Sequence, residues 1–425
     1  MNNHNPIQRI TATYLIETAH PLEQAAAAIA GEQSSGTFVS VPGETEELRT
    51  RHAATVERIT PLETLPTPSL PGARLPKGVQ SPVYQRAEVT ISFPLENIGH
   101  SLPNLMTLLA GNLFELGQLS GARLLDFDLP STFVEHQPCP QFSIGGTRRL
   151  CGVEGRPLIG TIIKPSVGLS PEATAELVRT LAEADLDFMK DDELIASPPY
   201  STVQQRVQAV MAVIDDHAQS SGKRVMFAFN ISGEIDEMRR QHDIVLAAGG
   251  TCVMVSLNSV GLAGVLALRR HSQLPIHGHR NGWGALSRHP ALGFSYIAWQ
   301  KFWRLAGADH LHVNGLRNKF CESDESVIAS ARACLAPLCG CAAAMPVFSS
   351  GQTAAQAPDT YQALGSVDLL YLAGGGVLAH PGGALAGALA LRQAWEAAVA
   401  GVDLERYAQD HIELRQALKH YDRKS

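Results

Sequence analysis

The chain has 425 residues, 45% of them hydrophobic and 18% charged, enough apolar material for a large core divided over two domains. Its net charge of -7 disfavours nucleic acid or an anionic membrane surface as the main partner. The opening Met1-Asn2-Asn3-His4-Asn5-Pro6 lacks the regions of a signal peptide and no apolar run reaches transmembrane length, so a cytoplasmic location with no membrane partner is expected. Seven scattered cysteines include no Cys-x-x-Cys pair, and they read as reduced and mostly buried.

Residues 1–145 read as a smaller α+β domain. Helical patterns fall over 21–30 and 102–108, polar and apolar residues alternate over 88–93, and five prolines between Pro61 and Pro76 mark a loop. Residues 146–425 repeat a different unit, an apolar strand followed by a loop and an amphipathic helix. Strands are predicted over 158–163, 185–189, 224–231, 251–257, 275–279, 310–313, 345–349 and 368–372. Ser170 and Pro171 have the chemistry of an N-cap and a first helical residue, which places a helix after the first strand. Eight such units close into a parallel (β/α)8 barrel, whose active site lies on the loops after the strands.

The chemistry collects at those strand ends. After the second strand come Lys190, Asp191, Asp192 and Glu193. Strand alternation turns Lys190 and Asp192 one way and Asp191 the other, while Glu193 swings inward as the strand ends. Asp192 and Glu193 make half of a magnesium site, because magnesium prefers carboxylate oxygens. A protonated lysine repels a cation, but its carbamate, formed with carbon dioxide, would add a third oxygen. The bland alternative is a solvated acidic loop. Lys164 follows the first strand and points into the barrel mouth, either as an acid or base toward substrate or as an ion-pair partner of the acidic cluster. His277-Gly278-His279-Arg280 and His310-Leu311-His312 follow the fifth and sixth strands, and each His-x-His pair also has the spacing of two zinc ligands on one strand face. Ser349-Ser350-Gly351 and Gly374-Gly375-Gly376 end the last two strands, where backbone amides commonly bind phosphate. Tight turns before helices would look the same.

Thr161 to Pro165, Gly168 to Ser170, Leu186 to Glu193, His279-Arg280, Asp309 to His312, Gly374 to Gly376 and His380-Pro381 together resemble the signature blocks of the ribulose-bisphosphate carboxylase (RuBisCO) large chain. The resemblance implies a ferredoxin-like α+β domain before the barrel and a homodimer, or an assembly of dimers, with shared active sites. It implies one magnesium ion per site, held by carbamylated Lys190, Asp192 and Glu193. Lys164, Lys190, His279 and Lys319 fall on catalytic positions. Gly351, Gly374 and Gly375 resemble one phosphate site, and Arg280, His312 and Ser349 a second. Glu32, Thr37 and Asn112 resemble residues that this family lends to a neighbour's site.

Several positions depart from the carboxylase. Ser166 replaces a lysine, Leu194 an asparagine and Phe38 a tryptophan, and Asn318-Lys319-Phe320-Cys321-Glu322 stands where carboxylases carry Gly-Lys-Leu-Glu-Gly. Without those glycines the lid role of Lys319 is weakened. The pattern resembles the RuBisCO-like branch, which performs enolate chemistry on other phosphorylated substrates. An arginine at the second site calls for an anion. The implied substrate is therefore a phosphorylated oxo sugar acid, 3-oxo-isoapionate 4-phosphate, decarboxylated or transcarboxylated with hydrolysis. The alternatives are a methionine-salvage enolase or isomerase of a 5-methylthio keto-pentyl phosphate, a barrel metal hydrolase, and a non-catalytic binding or regulatory protein.

Overall fold

Period-two burial organises the amino-terminal unit. In the strand Arg9–Thr18, residues Ile10, Ala12, Tyr14 and Ile16 are buried while Arg9, Thr11, Thr13 and Leu15 are only partly so, so one face of the sheet meets the core. The computed structural model describes residues 7–36 and 41–421. Its first unit runs to Gln137 and includes Gly282–Leu305 and Leu338–Cys341. Five strands form its sheet in the order Leu292–Phe294, Leu119–Asp128, Arg9–Thr18, Tyr84–Pro94 and Thr55–Leu65. All pairs are antiparallel except the short one that adds Leu292–Phe294. Helices Leu22–Glu32 and Leu102–Ala110 stand where their patterns predicted them. Pro61 is a difference, since it lies within Thr55–Leu65 and not in a loop. An edge strand tolerates a residue without an N–H, and the pairing shifts register between Pro61 and Thr64.

All eight predicted barrel strands form in the second unit: Leu158–Ile162, Phe188–Lys190, Met226–Asn230, Cys252–Ser256, Ile276–His279, His310–His312, Met345–Phe348 and Leu370–Leu372. Each pairs in parallel with the next, and the eighth returns to the first through Leu370 opposite Leu158. Ser170 accepts a hydrogen bond from the Ala173 amide at 3.1 Å and caps the helix Pro171–Glu183. Leu158, Phe188, Met226, Met254, Met345, Val347 and Leu370 pack the interior together with Cys151 and Val153. His277 and His310 are fully buried on the fifth and sixth strands.

Cys139 and Cys341 are disulfide-bonded, against the expectation of seven reduced thiols. Cys151, Cys252 and Cys334 are free and buried, whereas Cys321 and Cys339 are free and exposed. Among the described residues no helix is long and apolar enough to cross a membrane.

One carboxylate ties the start of the sixth strand to its surroundings. Asp309 accepts from the amides of Phe142 (2.7 Å), Ser143 (2.9 Å) and Ile276 (2.9 Å) and from Arg269 Nη1 (3.0 Å), with both ionic partners fully buried. Burial drives the Asp309 carboxyl upward in pKa, opposed by the Arg269 charge and these amides. Asp309→Ala would strand a buried guanidinium and three amides, and should cost about 3–5 kcal/mol in urea unfolding at neutral pH. A loss below ~1 kcal/mol would show that Arg269 finds other partners at no cost.

Candidate active site

The segment after the second strand is shaped by a buried ion pair. Asp191 turns away from the barrel mouth, accepts from Arg206 Nε at 3.1 Å and from the Asn230 amide at 2.9 Å, and lies 3.0 Å from Arg206 Nη2. Arg206 also donates to the carbonyls of Ser201 (2.7 Å) and Ala196 (2.6 Å), fixing the loop that follows. Asn230 Nδ2 donates to the backbone oxygens of Asp192 (3.2 Å) and Glu193 (3.3 Å). Three residues, Asp191, Arg206 and Asn230, thus hold the backbone on which Lys190, Asp192 and Glu193 stand.

Lys190 is 1% exposed, and its Nζ donates to the Asp191 carbonyl at 2.7 Å and lies 3.9 Å from Glu193 Oε2. Burial lowers its pKa, against the pull of Glu193, Asp192 and Asp191. Asp192 is buried too, but its carboxyl is held low: burial raises it, and the Lys164 hydrogen bond, the Leu194 amide and the charges of Lys164 and Lys190 together outweigh that. Lys164 Nζ reaches Asp192 Oδ2 at 2.6 Å and Ser166 Oγ at 2.8 Å, and its side chain remains 44% exposed. His279 Nε2 sits 3.5 Å from Glu193 Oε2. Burial and the Lys190 charge push the His279 pKa down to about 4, although Glu193 pulls the other way. Lys164, Lys190, Asp192, Glu193 and His279 therefore form one cluster at the ends of the first, second and fifth strands.

The remaining barrel residues form a second group. Arg280 is ion-paired with Glu322, which also accepts from Asn314 Nδ2 at 2.7 Å and from Ser326 Oγ at 2.9 Å. Nothing in the residue spacing marked Glu322 as this partner. His312 bonds to Ser349 Oγ through Nδ1 at 3.1 Å and to His277 through Nε2 at 2.7 Å. Gly351 has φ +90° beside Lys319, whose amide donates to the Ser350 carbonyl at 3.3 Å. Lys319 itself is exposed, with Nζ 5.3 Å from the centre of the Phe320 ring. Gly374 and Gly375 open the short helix Gly375–Leu378, and a Cβ on Gly375 would meet open space. At Gly376 a Cβ would lie 2.4 Å from the Gln352 carbonyl, so close backbone approach alone requires that glycine.

In the amino-terminal unit Asn112 Nδ2 donates to Glu32 Oε1 at 3.2 Å, and both residues are exposed. Thr37 and Phe38 lie outside the described residues. Among the described residues, the group of His, Cys, Asp and Glu side chains with metal-ligand proximity is His242, Asp243 and His271, away from this cluster. His242 Nε2 accepts from the Gln273 amide at 3.2 Å, so its hydrogen lies on Nδ1 and points to Asp243 at 2.9 Å. That trio is satisfied by hydrogen bonds.

Comparison with known proteins adds a separate line of support. Residues 5–133 match the N-terminal domain of the ribulose bisphosphate carboxylase large chain, and residues 143–421 match its catalytic domain. The chain is 57% identical over 413 residues to a 3-oxo-isoapionate-4-phosphate transcarboxylase/hydrolase of Xanthobacter autotrophicus, covering 97% of this chain and 99% of that one. It is 50% identical over 408 residues to a 3-oxo-isoapionate-4-phosphate decarboxylase of Rhizobium etli, covering 95% and 97%. A crystal structure of a RuBisCO-like protein from Burkholderia fungorum superposes with a TM-score of 0.91 at 47% identity, covering 97% and 99%.

The buried histidines predict a pH effect on stability. Histidine titrates near 6.5 when unfolded, whereas burial holds His279 at about 4 and His310 at about 3. Below pH ~6.5 the unfolded chain binds protons that the native state refuses. This stability is complete above that pH and falls toward pH 4, by up to about 1.4 kcal/mol per pH unit for each histidine. Urea midpoints should therefore hold down to about pH 6.5 and drop steadily from there to about pH 5, and a flat profile below pH ~6.5 would contradict the burial argument.

Proposed function

The chain belongs to the ribulose bisphosphate carboxylase large-chain family, and from that premise we propose that it is a RuBisCO-like enzyme removing the carboxyl group of 3-oxo-isoapionate 4-phosphate through an enolate. The close relatives named for this substrate support the choice. The observation that carries the chemistry is Lys190, buried between a strand end and two carboxylates and easily deprotonated. An uncharged amine is the form that adds to carbon dioxide. Its carbamate, with Asp192 and Glu193, is the oxygen-rich set that magnesium prefers, so these residues fit the ion that the family implies. Magnesium bound there supplies Lewis acidity toward oxygens on the substrate.

The chain's own groups handle binding and the proton. In a 3-oxo acid the bond between the carboxyl carbon and its neighbour breaks, carbon dioxide leaves, and the electron pair delocalises onto the oxo group as an enolate. Lys164, charged and already donating to Asp192, is the acid that returns a proton to that carbon. His279 stays neutral beside Glu193 and adds no positive charge. The amides of Gly351, Gly374 and Gly375 take the phosphate, and Arg280 takes the acid end, for which Glu322 is the stand-in. The enzyme works as a homodimer, or an assembly of dimers, in the cytoplasm. Glu32 and Asn112, joined at 3.2 Å, complete a neighbour's site together with Thr37.

A second reading rests on the same ion pair. Glu322 already neutralises Arg280, so a 5-methylthio ketose phosphate would not leave the guanidinium unpaired. Presenting both compounds to the purified protein with magnesium and bicarbonate separates the two. We expect consumption of the oxo acid phosphate with loss of its carboxyl group, and a fall of roughly 100-fold or more in Lys190→Ala and Lys164→Ala. Preference for the thioether compound would sink the sugar-acid reading.

Arg280 and Glu322 also give opposite expectations. Arg280→Met should lower kcat/KM for the oxo acid phosphate about 10- to 100-fold, the value of ~1.5–3 kcal/mol for a charged hydrogen bond. Glu322→Gln should lower KM for the same compound, because the substrate no longer competes with an internal carboxylate. Efficiency unchanged in both variants would show that the acid end binds elsewhere.

A further inference from the structure

Five side chains form a continuous file through the barrel interior. Ser349 Oγ meets His312 Nδ1 at 3.1 Å, His312 Nε2 meets His277 Nε2 at 2.7 Å, and His277 Nδ1 meets His310 Nδ1 at 3.3 Å. His310 Nε2 then meets Thr147 Oγ1 at 2.8 Å. Thr147 lies in the helix Ser143–Cys151, and its hydroxyl donates to the Ser143 carbonyl at 2.5 Å. Thr147, His277 and His310 are wholly buried, and His312 and Ser349 nearly so.

Donor counting gives this file a direction. A carbonyl oxygen only accepts, so the single hydrogen of Thr147 goes to Ser143, and Thr147 Oγ1 must accept from His310 Nε2–H. In a neutral imidazole the other nitrogen is then an acceptor. His310 Nδ1 takes the hydrogen of His277 Nδ1, which leaves His277 Nε2 to accept from His312 Nε2–H. His312 Nδ1 must accept in its turn, and the hydrogen it accepts is that of Ser349. Both ring nitrogens of His277 face ring nitrogens of other histidines, an arrangement that one tautomer of a neutral ring satisfies completely.

We propose that Thr147 sets the polarity of this file and thereby makes Ser349 a hydrogen-bond acceptor toward the substrate. With its hydrogen committed to His312, Ser349 Oγ offers lone pairs to the barrel mouth. It matches a substrate hydroxyl and repels an anionic oxygen. The acid end of the substrate then falls to Arg280 without Ser349, and the group facing Ser349 is a hydroxylated carbon. Thr147, His310 and His277 are positioning residues, since none of them needs to touch the substrate. The consequence for the substrate rests on the sugar-acid reading above, whereas the polarity belongs to the folded chain alone.

Nitrogen NMR of histidine-labelled, ligand-free protein tests the polarity directly. Wild type should carry its hydrogens on His310 Nε2, His277 Nδ1 and His312 Nε2, and the opposite set would overturn the proposal without any variant. Thr147→Val cannot accept a hydrogen bond, so a donor aimed at it becomes costlier than a lone pair. The three tautomers should reverse in Thr147→Val and stay as wild type in Thr147→Ser. Folded Thr147→Val with unchanged tautomers would remove Thr147 as the determinant. Reversal should also raise KM for the oxo acid phosphate about tenfold, the equivalent of ~1.4 kcal/mol, with little change in kcat. Reversed tautomers with an unchanged KM would refute the hydroxyl contact at Ser349 and leave the polarity standing.

Discussion

The pair formed by Asp191 and Arg206 is the constraint on which the catalytic end of the barrel depends. Both side chains are fully buried, so each charge has lost its water and the pair persists only because nearly every polar atom finds a partner. Asp191 spends its oxygens on Arg206 and the Asn230 amide, and Arg206 spends its remaining hydrogens on two carbonyls of the next loop. The residue between Lys190 and Asp192 is thereby anchored outward. Its two neighbours are left pointing into the mouth by strand alternation.

The charges that face the mouth are arranged around one exposed cation and one buried amine. Lys164 keeps contact with solvent and pairs with Asp192. Lys190 has lost solvent and faces a carbonyl, so it surrenders a proton more easily. The two lysines on adjacent strands thus differ in exposure and in partner, and burial lowers the pKa of Lys190. The histidines add no charge to this balance. Burial holds His277, His279, His310 and His312 below the ordinary range, so the histidines leave the positive charge to the ion-paired side chains of Lys164 and Arg280.

What the sequence revealed follows from which interactions are local. Alternation, capping and the count of strand-helix units depend on near neighbours, so all eight barrel strands and the Ser170 cap were readable. Pro61 misled because only the sheet order shows that its strand is an edge. The short strand Leu292–Phe294 was invisible for the same reason, since its pairing with Leu119–Asp128 spans more than 150 residues. Within the site, the cluster of Lys190, Asp192 and Glu193 was legible because its three charged residues adjoin in sequence. The pairs of Asp191 with Arg206 and Arg280 with Glu322 were not, for no short-range rule links those positions. The His-x-His spacings carry two meanings in sequence. Only the distances among His277, His310 and His312 distinguish a hydrogen-bonded file from metal ligands.

Arg280 and Glu322 bear on why this scaffold suits a substrate with one phosphate. A bisphosphate would place a second dianion at Arg280, beside a carboxylate that already occupies the guanidinium and is itself held by Asn314 and Ser326. Like charges at that distance in a partly buried site cost several kcal/mol unless Glu322 leaves, and leaving forfeits its three partners. A single carboxylate carries half the charge and the same planar geometry as Glu322, so the exchange is close to even. Under the proposed function, the loop after the sixth strand would discriminate by charge as well as by shape. On that reading, Glu322, at the position of a glycine in carboxylases, is an internal competitor for the anion that Arg280 is proposed to bind.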